Sequence, residues 1–111
     1  NGIDILTVEL NDTHADTLRQ MADRFRQRHP KHGIDVLASV IKGHPIIVTA
    51  VTQDLVSRGI NAGEMAGFIA RQLGGGGGGK ATIAQAGGKD PAALDQALKS
   101  VHGWVEARLD S

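Results

Sequence analysis

The chain has no cysteine, and aromatic residues make up only 3% of it, one tryptophan and two phenylalanines in 111 residues. Without thiols there can be no disulfide and no thiolate zinc site, and the absence fits a cytosolic origin. So few rings leave a core that must be aliphatic and packed with alanine, although the hydrophobic share of 41% is ordinary for a globular protein. Charge of one sign is also missing, since 12 Lys and Arg balance 12 Asp and Glu. That balance removes any global attraction to nucleic acid and leaves only a local patch to provide one. No apolar run approaches the ~20 residues that would span a bilayer, and no signal-peptide pattern is present. The length suits one domain with a layered core. The opening Asn1-Gly2, with no initiator methionine, reads as a piece cut from a longer protein.

What the chain has in excess is glycine, and six of its residues stand in one run, Gly74 to Gly79, followed by Lys80. Each glycine fixed in regular structure costs ~0.5–1 kcal/mol more than alanine. The whole run, if ordered, costs roughly 3–6 kcal/mol against a typical stability of ~5–15 kcal/mol. The run is therefore either a flexible tether or a loop where the backbone must approach something closely. Its position inside one domain, between a helix pattern and a short strand, favours close approach.

The flanking pattern is layered α/β. Ile3 to Leu10 reads as a strand, and Ala15, Leu18, Met21, Ala22 and Phe25 form the buried stripe of a helix that Pro30 ends. Asp35 to Ile41 and Ile46 to Val51 read as two strands joined across Lys42-Gly43-His44-Pro45, and the run Ile46-Ile47-Val48 predicts a central strand buried on both faces. Thr52 to Gly59 predicts a helical turn closed by glycine. Asn61 caps a helix striped by Ala62, Met65, Ala66, Ile69 and Leu73, with Gly74 at its C-cap. Gly63 and Gly67 on that helix each cost ~1 kcal/mol relative to alanine and predict a second backbone packed against them. Ala81 to Ala86 reads as a strand of small residues. Asp90-Pro91 starts a C-terminal helical stretch striped by Leu94, Leu98, Val101 and Val105, with Trp104 covering the sheet. The expected fold is a single mixed β-sheet of about four strands with helices packed on it.

Familiar chemistry fits poorly. Gly74 to Ala81 nearly matches the phosphate-binding loop G-x-x-x-x-G-K-[ST], but Ala81 stands at the magnesium-ligating hydroxyl position. The run also follows a helix and precedes a strand, the reverse of what that motif needs. What remains is bare amide N–H groups beside Lys80, a combination that can line a phosphate or sugar edge. The outer side of the first helix carries Arg19, Arg24, Arg26 and Arg28, with His29, Lys31 and His32 just beyond. The cluster could contact phosphates, but the helix dipole favours cations at this end and Asp16 and Asp23 partly neutralise it, which is the stronger reading. The five histidines show no metal-ligand spacing, and no catalytic constellation can be assigned.

The run Leu73 to Gly88, read LGGGGGGKATIAQAGG, together with Lys89-Asp90-Pro91-Ala92-Ala93-Leu94 and the ending Val101-His102-Gly103-Trp104-Val105, closely resembles the C-terminal domain of the alanyl-tRNA synthetase family. The resemblance covers nearly the whole chain. It implies a DHH-associated domain, with residues 1–111 forming one C-terminal unit of a longer enzyme. It further implies contact with the elbow of tRNA(Ala), which would help present one tRNA to both the aminoacylation and the editing centres of the ligase. The implied partners are tRNA(Ala) and the rest of the synthetase chain, in the cytoplasm and with no membrane. The fragment itself is expected to be non-catalytic and without a cofactor, ATP, magnesium and zinc being used elsewhere in the parent. Carried onto this sequence, the RNA-contacting candidates are Gly75, Gly76, Gly77, Gly78, Gly79, Lys80 and Gln85, with Arg71 one turn before the loop. In DHH-type phosphoesterases a similar glycine-rich motif ends in histidine, whereas Lys80 stands here and the catalytic domain is absent. Two alternatives stay open. One is a self-association module using the Gly63/Gly67 face or a sheet edge, giving a homo-oligomer. The other is a phosphoesterase-type domain that recognises short single-stranded nucleic acid.

Overall fold

The computed structural model describes residues 2–109. Five strands form one sheet in the order β1-β2-β3-β5-β4, with β1 (Asp4–Asn11) parallel to β2 (Gly33–Ile41) and every other pairing antiparallel. Helix α1 (Ala15–Arg28) makes the crossover between the parallel pair. It buries Leu18 and Ala22 against Leu37, Val48 and Ala50 on one face of the sheet. The opposite face, carrying Ile34, Val36, Ala38, Ile47, Ala84 and Ala86, packs on α3 (Ala62–Gln72), α4 (Leu94–Lys99) and α5 (Val101–Leu109). The alternation along β2 and β3 explains this division, because successive side chains point to opposite faces and both faces are covered. β3 (His44–Val51) is the middle strand, as its unbroken Ile46-Ile47-Val48 run predicts.

The β2–β3 connection is tighter than the sequence suggested. Ile41 pairs with His44, so the turn has only Lys42 and Gly43 at its centre, at φ 50° and 80°. Both residues in the left-handed region define the turn whose twist suits a two-residue hairpin. After β3, Thr52 organises the start of α2 (Gln53–Val56): its hydroxyl accepts from Gly33 N–H at 3.1 Å and donates to Asp54 at 2.6 Å. Asp54 also accepts from the backbone N–H of His32 and meets its ring at 3.1 Å. The Thr52 hydroxyl, followed by the His32 contacts, holds the Asp54 carboxyl below the usual carboxylate range. Gly59, at φ 99°, turns the chain toward α3.

Asn61 caps α3 as expected, its side chain accepting from Glu64 N–H at 3.0 Å. The helix ends in a Schellman arrangement with Gly74 at φ 75°: Gly75 N–H bonds to Ala70 C=O and Gly74 N–H to Arg71 C=O. Asp90 starts the C-terminal helices by accepting from Ala92 N–H, and Pro91 sits in the first turn. The stripe of that stretch is buried, but the helix breaks at Ser100, whose hydroxyl donates to Ala97 C=O and meets the amide of Gln72. Trp104 packs against the core on the α3 side of the sheet, its ring 5.9 Å from Phe68 of α3 and the Arg108 guanidinium 4.2 Å above it.

The count of five strands, where about four were expected, comes from the glycine run. It is neither a tether nor a loop. Gly76–Gly79 is β4, an edge strand paired with β5 (Ile83–Gly87).

Candidate nucleic-acid interface

β4 approaches β5 on its strand side, and α3 at Gly63 on its helix side, more closely than a side chain at those positions would permit. A Cβ on Gly77 would lie 2.5 Å from Ala86 Cα, one on Gly79 would lie 2.8 Å from Ala84 Cα, and one on Gly75 would run into the Gly87 carbonyl. On the helix side, a Cβ on Gly63 would lie 2.9 Å from the Gly79 carbonyl oxygen, and one on Gly67 3.8 Å from that of Gly77. Gly63 and Gly67 therefore do what their spacing predicts, and the second backbone is the glycine strand itself. α3 packs along β4, near the Gly77 and Gly79 carbonyls, while the four residues of the strand stay exposed. The Gly63/Gly67 face is filled from within the domain, and β1 is the sheet's other edge strand.

Gly76 and Gly78 differ from their neighbours. A Cβ on either would meet nothing within 4 Å, and both residues are exposed. Gly78 stands directly opposite Gln85, which is also exposed, and Gly76 opposite Gly87. This end of the sheet thus offers bare peptide backbone beside one side-chain amide. α1, on the same face, packs over β2 and β3 instead.

Lys80 follows β4 directly. Its N–H bonds to Ile83 C=O at 2.9 Å and closes the reversal through Ala81 and Thr82. The Ala81 carbonyl accepts from Ala62 N–H at the start of α3, and that of Thr82 from Val51 N–H at the end of β3. The backbone that carries Lys80 is therefore fixed from two sides while the residue itself is exposed. Arg71 sits in the last turn of α3 and is exposed. Its guanidinium folds back over Gly67, where a Cβ would lie 3.4 Å from Nη1, and so flanks the Gly77 carbonyl at the rim of the edge.

The structure therefore brings Gly76, Gly78, Gln85 and Lys80 to one end of the sheet, and puts Arg71 on the helix side of the same edge. Gly77 and Gly79 belong to the same strand, and Gly75 leads into it, but all three face packing contacts. Among the described residues no group of three or more His, Asp or Glu gathers as a metal site, and no helix is long and apolar enough to cross a membrane. One residue of chemical interest passes unnoticed in the sequence. Asp35 lies in the apolar run from Ile34 to Leu37 and is only 2% exposed. A lone carboxylate in a strand buried on both faces was the available signal.

The sheet is open and mixed, with one glycine edge strand backed by a helix, and the chain belongs to the DHHA1 domain family, whose model matches residues 2–107. Within the family the chain is similar to alanyl-tRNA synthetases. It is 44% identical over 108 residues to alanine–tRNA ligase of Burkholderia mallei, which covers 97% of this chain and 12% of that protein. The fold matches the C-Ala domain of Aquifex aeolicus alanyl-tRNA synthetase at a TM-score of 0.83 and 29% identity, over 100% of this chain and 96% of that one. The chain thus spans about an eighth of the length of the ligase it matches and nearly all of the separate C-terminal domain. A likeness of fold alone extends to a Vibrio pGpG-specific phosphodiesterase, with a TM-score of 0.55 at 20% identity, over 92% of this chain and 33% of that one. The resemblance drawn from the glycine run and the Gly-Trp-Val ending is the one these matches show.

Proposed function

We propose that this domain is the non-catalytic, tRNA-contacting part of an alanine–tRNA ligase of the cytoplasm, and that the β4–β5 end of its sheet rests on the elbow of tRNA(Ala). The observation that carries the reading is the unobstructed backbone at Gly76 and Gly78 beside Gln85 and Lys80. A folded RNA corner presents phosphates, ribose hydroxyls and stacked base faces, and it is read by shape and backbone contacts. Bare glycine can approach such a surface more closely than any side chain allows, Lys80 supplies a point charge, and Arg71 can form a charge-assisted bond to a phosphate passing the edge. Zero formal net charge gives the free domain little non-specific attraction to RNA. Its contribution then arises as effective concentration once the rest of the ligase holds the same tRNA, which is how it would help keep one tRNA within reach of both the aminoacylation and the editing centres. The steps that use ATP, magnesium and zinc belong to other parts of such a ligase.

Amide-shift perturbation tests this. Folded tRNA(Ala), added at low salt, is expected to move Gly76 to Lys80 and Gln85, while a single-stranded RNA of the same length leaves them in place. Equal responses to both RNAs would transfer the domain to single-strand recognition, and no response at low salt would remove RNA contact from this face.

A further inference from the structure

At the other end of the sheet from the glycine strand, α1 and the β1–β2 pair enclose a half-open cleft of about 290 Å³, near the lower end of the ~300–1,000 Å³ typical of small-ligand sites. Its walls are apolar: Leu6 and Val8 from β1, Leu37 from β2, Met21 and Phe25 from α1. Leu6 is 47% exposed, an unusual degree for a large aliphatic side chain in this molecule. Asp35 lines the cleft next to Leu6, its partner in the β1–β2 register. The carboxylate is 2% exposed, and its Oδ1 has no hydrogen-bond partner. Burial pushes it up to about 6, with the nearby His29 opposing, so it is mostly ionised at neutral pH. Arg24 and Arg28 reach the same cleft, yet among the described residues neither forms an ion pair with it or with any other carboxylate. His29, stacked on Phe25 at 4.4 Å between ring centroids, completes the rim.

A buried, unpaired carboxylate is expensive, and an occupant that supplies hydrogen-bond donors relieves it. Three features define that occupant: a body that suits apolar walls, donors for the deep carboxylate, and negative charge toward the arginines at the mouth. We propose that the cleft binds a guanine nucleotide, with the base directed at Asp35 and the phosphate at Arg24 and Arg28. An ionised carboxylate only accepts hydrogen bonds. Guanine presents N1–H and the N2 amino group side by side, so both carboxylate oxygens gain a donor. Uracil flanks its single N–H with two carbonyls, and adenine and cytosine place a ring acceptor beside their amino group, so each sets a lone pair against the carboxylate. A basic side chain from another protein would satisfy Asp35 but would meet two arginines at the entrance. The site is independent of the β4–β5 face: either can fail while the other stands.

The test is a titration of the 111-residue chain followed by amide and methyl shifts. GMP is expected to move Leu6, Met21, Asp35 and Leu37 saturably, leaving Gly76 to Lys80 unmoved, and to bind about tenfold more tightly than UMP, the discrimination expected of one bidentate base contact. Asp35→Asn, which keeps the shape of the side chain, should abolish the preference over UMP. Arg24→Gln with Arg28→Gln should weaken GMP and leave guanosine unchanged. A uridine oligonucleotide with a single guanine, run beside free GMP, separates the two sources: tighter binding of the oligonucleotide makes the ligand an unpaired guanine in RNA, and tighter binding of GMP makes it a free nucleotide. No saturable shifts at millimolar GMP, an equal response to UMP, a GMP preference that survives Asp35→Asn, or occupation of the cleft by an arginine-containing peptide in place of GMP would each overturn the proposal.

Discussion

Gly63 and Gly67 sit one turn apart on the same face of α3, and sequence alone treats them alike. Their surroundings predict opposite responses to alanine. At Gly67 the added methyl would lie 3.4 Å from Arg71 Nη1, the end of a movable side chain, and 3.8 Å from the Gly77 carbonyl, which is ordinary contact. The gain in helix propensity, about 1 kcal/mol in a helix interior, should then appear as net stabilisation. At Gly63 the methyl would lie 2.9 Å from Gly79 O and 3.3 Å from Gly79 N, both backbone atoms of a strand, and 3.1 Å from the Asn61 cap oxygen. None of these can move without opening the α3–β4 contact or losing the cap, and overpacking of this kind costs about 1–3 kcal/mol. Near the helix start there is less propensity to regain. Gly63→Ala should therefore destabilise by about 1–2 kcal/mol while Gly67→Ala stabilises by up to about 1 kcal/mol. Urea unfolding followed by Trp104 fluorescence reads both, since that ring packs against Phe68 of the same helix. If the two variants shift the midpoint in the same direction, close packing of α3 on β4 is not what requires these glycines.

Asp35 gives a pH signature of the opposite sign to a salt-bridged carboxylate. Its folded value of about 6 lies above the ordinary 3.8, so the native state holds the proton more tightly and stability falls as pH rises between those values, by about 3 kcal/mol in all. Asp35→Asn should flatten this slope, matching the parent near pH 4 and exceeding it at pH 7.5; parallel curves in urea titrations would refute the assignment. Replacing the α3 cap, Asn61→Ala, should cost about 0.5–2 kcal/mol by the same assay, because Glu64 N–H loses its partner.

How much of this was legible in the sequence depended on whether a feature was local. The stripe from Ala62 to Leu73, the Asn61 and Asp90 caps and the Gly74 terminus are decided by residues within a turn of each other, and each stands where the pattern puts it. The central place of β3 could be read because burial on both faces leaves no polar alternation. β4 could not be read, because a strand is recognised by side chains and Gly76–Gly79 has none. Its pairing is set by Ala84 and Ala86, small enough for close approach, and its packing on α3 involves Gly63 and Gly67, which stand well before it in the chain. The cleft at Asp35 was invisible because three separate elements build it. The RNA-contacting candidates were placed by resemblance on the glycine loop and Lys80, with Gln85 beside them and Arg71 a turn before, and the structure divides the glycines by face.

That division separates what the fold requires from what a ligand requires. Gly77 cannot accept a methyl without collision with Ala86 and the Gln85 carbonyl, so Gly77→Ala should break the β4–β5 pairing and lower stability by several kcal/mol, at or beyond the upper range for overpacking. Gly78, the next residue of the same strand and opposite Gln85, has open space around the corresponding position. Gly78→Ala removes freedom from the unfolded chain and should leave stability unchanged or raised by about 0.4–1 kcal/mol. Stability therefore gives no reason for glycine at 78, and the proposed tRNA contact supplies one: an object resting on this face would exclude a side chain. If tRNA is that object, Gly78→Ala should weaken its binding while the denaturation midpoint holds or rises, and Lys80→Ala should weaken it further with a shallower salt dependence. A Gly78→Ala protein of undiminished stability that binds tRNA as well as the parent would show that nothing approaches the strand closely enough to need bare backbone, and the RNA contact would have to be sought elsewhere on the domain.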